Sequence, residues 1–144
     1  MANTIYIVNG PNLNLLGTRE PEIYGTTTLA DIEAACAGRC KSHGVDLDFY
    51  QSNIEGDLVE RVQKAGRDGR ALILNAAAYT HTSVALYDVL KTLDIPVVEV
   101  HISQPAAREA FRQKSFIAPV ATGSISGFGT DSYLLAIEAV IGCT

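Results

Sequence analysis

The feature that most constrains this fold is a regular alternation of short apolar runs with longer amphipathic segments. Five runs have the length and composition of buried strands, and a segment with helical spacing of apolar residues follows each one. Parallel strands need a crossover of a dozen or more residues, usually a right-handed helical one. The alternation therefore predicts an α/β fold on a parallel sheet, with one domain over residues 1–144.

Turn and capping residues give the approximate bounds of the predicted elements. The predicted strands are about Thr4 to Val8, Asp46 to Gln51, Ala71 to Leu74, a run opened by Pro96, and Val120 to Ile125. The predicted helices are Thr28 to about Ser42, Glu55 to Ala65, a segment after Thr82, Pro105 to Gln113, and Asp131 to Ile141. Thr28 and Asp31 have the spacing of a capping box, and Gly44 is typical of a helix end.

Five strands joined in this way favour a flavodoxin-like three-layer fold with strand order 2-1-3-4-5. Polar clusters follow strands 1, 3 and 4 directly, beginning at Asn9, Asn75 and His101. These strands are neighbours in that order, and ligands bind at the carboxyl edge where the strand order reverses. We therefore expect one site at this edge. The connection from Asn9 to Thr27 far exceeds the ~2–6 residues usual for a βα loop, which indicates a lid over that site.

Composition argues against several classes of protein. The formal net charge of −5 disfavours a nucleic-acid partner, which needs a basic patch to displace counterions. No apolar run approaches the ~20 residues that span a bilayer, and the first residues do not resemble a signal peptide. We therefore expect a cytoplasmic protein with neither a nucleic-acid nor a membrane partner.

The chain has three cysteines, and an odd number does not fit a framework of paired disulfides. Cys36 and Cys40 lie four residues apart, with His43 close behind, so half of a soft-metal site has to be considered. However, both thiols continue the apolar stripe of one helix, and structural zinc normally requires four ligands. The sequence therefore predicts no metal site at these cysteines.

Four segments in order resemble the type II 3-dehydroquinate dehydratases of the shikimate and quinate pathways. They are the loop from Gly10 to Gly25, Asn75 with the run from Ala78 to Ser83, the run from Glu99 to Ser103, and the run from Arg108 to Arg112. The resemblance covers nearly the whole chain. It implies a hydro-lyase that removes water from 3-dehydroquinate by a cofactor-free anti elimination through an enolate. It also implies a homo-oligomer in which trimers assemble into a dodecamer.

The resemblance assigns catalytic roles that suit this chemistry. Removing water from a β-hydroxy ketone needs a base, a stabilised enolate oxygen and an acid for the departing hydroxyl. Tyr24 matches the family's base and Arg19 its cationic partner, while Asn12 matches the group that stabilises the enolate. His101 matches the proton donor, with Glu99 two residues back to orient the ring. From spacing alone, Arg19 and Tyr24 would be ordinary loop residues.

The remaining family positions bind substrate. The matching positions are Asn75, His81, the backbone of Ile102, Ser103 and Arg112, with Arg108 as a second source of positive charge. Asp88 matches an aspartate that enters a neighbouring subunit's site, and we expect it to be buried there. From the residues alone, Arg112 could equally belong to a solvated basic helix face, and Asp88 could equally be an ordinary surface carboxylate. Two departures from the family, at 76–77 and 104–106, affect the expected loop shape and substrate affinity.

Three competing interpretations use the same predicted fold or reaction. A flavin-binding module would need a phosphate cradle after strand 1, and a receiver domain would need acidic residues there, where this chain has asparagines. A dehydratase that forms a Schiff base would need a desolvated lysine at a strand end. The four lysines fall in or beside predicted helices, so we expect no Schiff base.

Overall fold

Five short strands form one sheet in the computed structural model, and its three inner strands are rich in β-branched and aliphatic residues. The structure describes residues 1–18 and 21–144, with the backbone alone at Ile23 and Tyr24. The strands are β1 Thr4–Asn9, β2 Asp46–Gln51, β3 Ala71–Asn75, β4 Val97–His101 and β5 Gly123–Ser126. The helices are α1 Pro21–Tyr24, α2 Leu29–Ser42, α3 Glu55–Asp68, α4 Val84–Leu90 and α5 Thr130–Cys143.

All neighbouring strands are parallel, and their order is β2-β1-β3-β4-β5. This confirms the predicted flavodoxin-like fold. The central strand β3 is buried along its whole length, as its unbroken apolar sequence predicts. The register pairs Asn9 of β1 with Asn75 of β3, so the polar residues that end these two strands lie side by side at the carboxyl edge.

Helices cover both faces of the sheet and give the predicted three layers. Alternate β1 residues point to opposite faces: Ile5 and Ile7 join the core beneath α2 and α5, whereas Tyr6 and Val8 join the core beneath α3 and α4. Cys36 and Cys40 lie in the first core, which confirms that both thiols pack as small apolar groups.

The capping box at the start of α2 is confirmed. The Thr28 hydroxyl accepts the Asp31 N–H at 3.1 Å, and the Asp31 carboxylate accepts the Thr28 N–H at 3.0 Å. The helix ends before Gly44, which has a positive φ of 67° as the sequence led us to expect.

The second long helix extends beyond its predicted end at Ala65. It continues through Gly66 to Asp68, because this glycine packs closely rather than ending the helix: a Cβ there would lie 2.5 Å from Leu93 Cδ2. The next helix, α4, ends at Leu90, so Leu93 lies beyond it. Val84, which begins α4, is 54% exposed.

The predicted helix from Pro105 to Gln113 is wrong. Two 3-10 turns replace it, Pro105–Ala107 and Ala110–Arg112, with extended backbone between them. The Gln113 side-chain amide lies within 3.2–3.5 Å of four carbonyl oxygens of this segment and takes the place of helical N–H donors. A further 3-10 turn, Ala118–Val120, contains Pro119 and delays the start of β5 from Val120 to Gly123.

Candidate active site

A cavity of about 170 Å³ lies at the carboxyl edge, among the loops that follow β1, β3 and β4. We call it the main cavity. Its volume lies below the about 300–1,000 Å³ usual for drug-sized ligands, so it fits only a smaller molecule. Eight of the twelve predicted site residues line it: Asn12, Asn75, His81, His101, Ile102, Ser103, Arg108 and Arg112. The three segments therefore meet at one site, as the predicted strand order requires.

His101 and Glu99 form a buried pair at the end of β4. The His101 Nε2 and the Glu99 Oε2 are 2.9 Å apart, and only 4% of the glutamate side chain is exposed. A carboxylate accepts hydrogen bonds and does not donate them, so Nε2 must carry the hydrogen. Glu99 thereby fixes the orientation of the ring. His101 lines the main cavity, and Glu99 lines a second cavity of about 260 Å³.

Two serines complete the hydrogen bonding of Glu99. The hydroxyl of Ser115 donates to Oε2 at 2.7 Å, and the hydroxyl of Ser124 donates to Oε1 at 2.8 Å. Burial raises the pKa of the Glu99 carboxyl, but the hydrogen bonds from His101, Ser115 and Ser124 outweigh burial and hold this pKa below its usual value. Glu99 is thus an anion at neutral pH, beside a histidine that borders the cavity.

The hydrogen bond of His81 also fixes its ring. Its Nδ1 lies 2.7 Å from the backbone oxygen of Lys114, which can only accept a hydrogen bond. Nδ1 therefore carries a hydrogen, and Nε2 remains to bind a ligand. In the same way, the Asn75 amide is held at both ends, with Nδ2 donating to the Tyr133 hydroxyl at 2.8 Å and Oδ1 accepting the Ala77 N–H at 3.2 Å.

Two arginines bring positive charge to the main cavity. Arg108 Nη1 donates to the Ser103 hydroxyl at 3.2 Å, which ties the β4 loop to the arginine segment. Arg112 Nε donates to the Glu109 carboxylate at 3.0 Å, while 22% of the Arg112 side chain is exposed. Guanidinium groups bind carboxylates through paired N–H donors, so these arginines suit an anionic ligand.

The loop after β1 approaches the cavity through Asn12. Its backbone is left-handed, with φ of 69°, a conformation that asparagine tolerates better than most residues. The side-chain Oδ1 of Asn53 accepts the Asn12 N–H at 2.9 Å, and the Gln51 Nε2 donates both to Asn53 Oδ1 and to the Gly10 backbone carbonyl, each at 3.1 Å. The β2 loop therefore fixes the position of Asn12.

The departure at 76–77 leaves a strained alanine at the cavity wall. Ala77 has a φ of 51°, which costs a residue with a Cβ about 1–2 kcal/mol relative to glycine. Next to it, Gly10 allows the first loop to touch the third: a Cβ on Gly10 would lie 2.4 Å from the Ala76 carbonyl oxygen. The loop therefore keeps a tight backbone approach without a glycine at position 77.

Three predicted residues, Arg19, Tyr24 and Asp88, remain to be reported. Arg19 falls outside the described residues, and Tyr24 ends α1, where the structure describes only its backbone. Asp88 is exposed on α4 and does not line the main cavity of its own chain, so its burial against a neighbouring subunit stays a prediction.

Sequence reasoning missed the residues that hold the site residues in place. Ser115, Ser124 and Tyr133 lie in segments that carry no motif. A usable signal existed for the serines, because a glutamate inside the strand Val97–His101 must find several hydrogen-bond donors when it is buried. The signal for Tyr133 was its place on a strongly apolar helix, because a tyrosine hydroxyl that is buried there needs a hydrogen-bond partner.

Two features of the described residues, 1–18 and 21–144, bear on other classes of function. Within these ranges no helix combines the length and apolarity needed to cross a membrane. Within the same ranges no group of three or more histidine, cysteine, aspartate or glutamate side chains is arranged to hold a metal ion.

Several known proteins are similar to this chain over nearly its whole length. The model of the family "Dehydroquinase class II" matches residues 3–141. The 3-dehydroquinate dehydratase of Hyphomonas neptunium is 60% identical over 141 residues, covering 98% of this chain and 95% of that protein. The crystal structure of type II dehydroquinase from Butyrivibrio crossotus has a TM-score of 0.94 and 38% identity, covering 97% of this chain and 98% of that one. The type II dehydroquinase from Propionibacterium acnes has a TM-score of 0.93 and 39% identity, covering 99% and 98% of the two chains. This chain therefore belongs to the class II dehydroquinase family.

Proposed function

We propose that this protein is a 3-dehydroquinate dehydratase that converts 3-dehydroquinate to 3-dehydroshikimate and water without a cofactor. The observation that carries the proposal is the His101–Glu99 pair, which borders a small cavity that two arginines also line. The pair can supply a proton to a leaving hydroxyl, and the arginines can bind the carboxylate of the substrate. The names of the similar proteins support the choice of substrate.

The reaction needs three chemical events. A base removes a proton from the carbon next to the ketone, which produces an enolate, and the β-hydroxyl then leaves as water after receiving a proton. The enolate oxygen has to be stabilised while it carries charge. In this proposal Tyr24 is the base, Asn12 holds the water or oxygen that stabilises the enolate, and His101 donates the proton. Glu99 stabilises the protonated ring of His101.

The positions of the two loops support an anti elimination. The first loop follows β1 and His101 ends β4, and β3 separates these strands. Neighbouring strands are about 4.8 Å apart, so the loops approach the cavity from points about 10 Å apart. A base on the first loop and an acid on β4 can therefore act on different sides of a small ring.

Substrate binding uses the remaining groups around the cavity. Arg112 binds the carboxylate, with Arg108 as a second cation close by. The hydroxyl groups and the carboxylate are contacted by Asn75, His81, Ser103 and the backbone of Ile102. Asp88 reaches the site of a neighbouring subunit in a trimer, and four trimers form a dodecamer. The whole chain acts as one catalytic domain in the cytoplasm, within the shikimate or quinate pathway.

The surroundings of the lysines favour this elimination over a Schiff base. No lysine is among the residues of the described ranges that line the main cavity. Lys64 lies 3.9 Å from Asp48 on the α3 side of the sheet, and the ammonium of Lys114 lies 4.6 Å from the Phe116 ring centre. A lysine that forms a Schiff base must reach the substrate carbonyl in a desolvated site.

Variants at Arg19 test the assignment of the base. A free phenol has a pKa of about 10, so Tyr24 needs nearby positive charge to act at neutral pH. Arg19→Ala should lower kcat more than it raises KM, and the rising, low-pH limb of the pH profile, which reports deprotonation of Tyr24, should move to higher pH. Arg19→Lys should restore only part of the loss, because it returns the charge without the planar donor fork.

Tyr24→Phe is the matched variant, because it removes the proposed base and leaves the ring. It should be more damaging than Arg19→Ala. An Arg19→Ala enzyme with unchanged kcat and an unchanged pH profile would contradict the pairing and favour Arg108 as the source of charge.

A further inference from the structure

A buried chain of side-chain hydrogen bonds runs behind the substrate-facing edge of the sheet. Asn75 Nδ2 donates to the Tyr133 hydroxyl at 2.8 Å, the hydroxyl donates to Asn9 Oδ1 at 2.7 Å, and Asn9 Nδ2 donates to the Tyr50 carbonyl at 3.1 Å. Asn9 and Tyr133 are fully buried, and Asn75 is 3% exposed. The chain connects β2, β1, α5 and β3, and it ends at a residue that lines the main cavity.

The direction of every hydrogen bond follows from the Tyr50 carbonyl, which can only accept. Asn9 must therefore turn its Nδ2 toward β2 and its Oδ1 toward Tyr133. The Tyr133 hydroxyl has one hydrogen, and it gives this hydrogen to Asn9. The same hydroxyl can then only accept from Asn75, so Asn75 must present Nδ2 to it and Oδ1 to the Ala77 N–H.

We propose that Tyr133 is a positioning residue that holds Asn75 as a hydrogen-bond donor to an oxygen of the substrate. An amide nitrogen carries two hydrogens, and Tyr133 accepts one of them. The second belongs to a side chain on the cavity wall, where hydroxyl and carboxylate oxygens of the substrate would lie. This inference rests on the proposed function, because it assigns Asn75 to substrate binding.

The surroundings of Tyr133 suit this task. The hydroxyl lies between two asparagine side chains in the core beneath α5, and burial keeps its pKa well above the ordinary value. The phenol therefore stays protonated across the working pH range and can donate and accept at the same time. A phenylalanine would fill nearly the same volume without holding either asparagine.

Tyr133→Phe should raise KM for 3-dehydroquinate about threefold to tenfold and leave kcat nearly unchanged, the size expected for one misplaced hydrogen bond. The shape of the pH profile should stay the same, because Tyr133 does not titrate in this range. Tyr6→Phe is the matched control: Tyr6 is likewise buried, with 3% exposed, but its hydroxyl faces Lys64 at 3.4 Å, on the opposite face of the sheet. Its KM should equal that of the wild type.

A double-mutant cycle separates positioning from general loss of structure. If Tyr133 acts through Asn75, then Tyr133→Phe should not change KM further in an Asn75→Ala background. Equal effects of Tyr133→Phe in both backgrounds would overturn the proposal. Asn9→Leu provides a second route, because it removes the acceptor and lets the Tyr133 hydroxyl donate toward Asn75. It should raise KM to a similar degree, and an unchanged KM in this variant would also overturn the proposal.

A structural readout keeps this inference separate from the proposed function. Crystal structures of the wild type and Tyr133→Phe should show the Asn75 amide rotated away from the Ala77 N–H only in the variant. An Asn75 amide that keeps its position in the variant would refute the positioning role, whatever substrate the enzyme uses. A wild-type enzyme inactive on 3-dehydroquinate would instead refute the proposed function, while the rotated amide would still support the hydrogen-bond chain.

Discussion

Glu99→Gln tests the proposed role of the buried carboxylate with little disturbance of the fold. The carboxylate accepts three side-chain hydrogen bonds: from His101 at 2.9 Å, from Ser115 at 2.7 Å and from Ser124 at 2.8 Å. A glutamine oxygen in the place of Oε2 can still accept from His101 and Ser115. Its amino group can then donate to Ser124, whose hydroxyl can turn to accept. The substitution therefore removes the charge and keeps the packing.

The size of the effect follows from the loss of charge. A hydrogen bond to a charged group contributes about 1.5–3 kcal/mol, and a neutral one about 0.5–1.5 kcal/mol. The difference of about 1–1.5 kcal/mol is the support that a protonated His101 would lose, so kcat should fall about fivefold to tenfold. KM should change little, because Glu99 lies beside the second cavity rather than the main one.

Steady-state kinetics with 3-dehydroquinate give kcat and KM separately. Ser124→Ala is the graded control, because it removes one donor and keeps the charge, so its kcat should lie between those of Glu99→Gln and the wild type. A Glu99→Gln enzyme with full kcat, or with a loss confined to KM, would refute the claim that Glu99 supports proton donation by His101.

Two other predictions concern pH and assembly. Hydrogen bonds lower the pKa of Glu99, so the stability they contribute is present above its unfolded-state pKa and is lost as pH falls through the folded-state value. Ser115→Ala should therefore cost about 1.5–3 kcal/mol of unfolding free energy in urea at pH 7 and clearly less in acid; an equal cost at both pH values would contradict this. The Asp88→Ala and Tyr24→Phe enzymes should each have low activity. Subunit exchange between them should restore some activity, because a mixed oligomer contains sites with an intact Tyr24 and a neighbour's intact Asp88. Verified exchange without rescue would mean that each site is complete within one chain.

The sequence was sufficient to predict the fold because the information is local and repeated. Apolar runs, the Thr28 capping box and Gly44 each indicate an element end, and right-handed parallel crossovers leave few strand orders. The order then brings Asn75 and His101 to one edge without knowledge of any tertiary contact. Where prediction failed, between β4 and β5, a single side chain, Gln113, competes with the helix. Such competition depends on geometry that a periodic pattern does not contain.

The site residues also divide into those that a local sequence pattern predicts and those that depend on tertiary contacts. Residues that face the cavity follow strand ends in recognisable runs, whereas the groups that orient them come from distant segments. Tyr133 is 58 residues from Asn75, and Ser124 is 25 residues from Glu99. Pairings of this kind arise only when the sheet is assembled and buried polar groups must find partners. Sequence reasoning can therefore predict that Glu99 needs donors but not which serines supply them.

The proposed elimination needs neither a cofactor nor a covalent intermediate, and one experiment tests this directly. Purified enzyme is dialysed against a chelator, treated with borohydride in the presence of 3-dehydroquinate, and then assayed for formation of 3-dehydroshikimate. We expect turnover to survive both treatments, with the protein mass unchanged. Loss of activity on chelation, or irreversible inactivation with a substrate adduct on a lysine, would contradict the mechanism proposed for Tyr24 and His101.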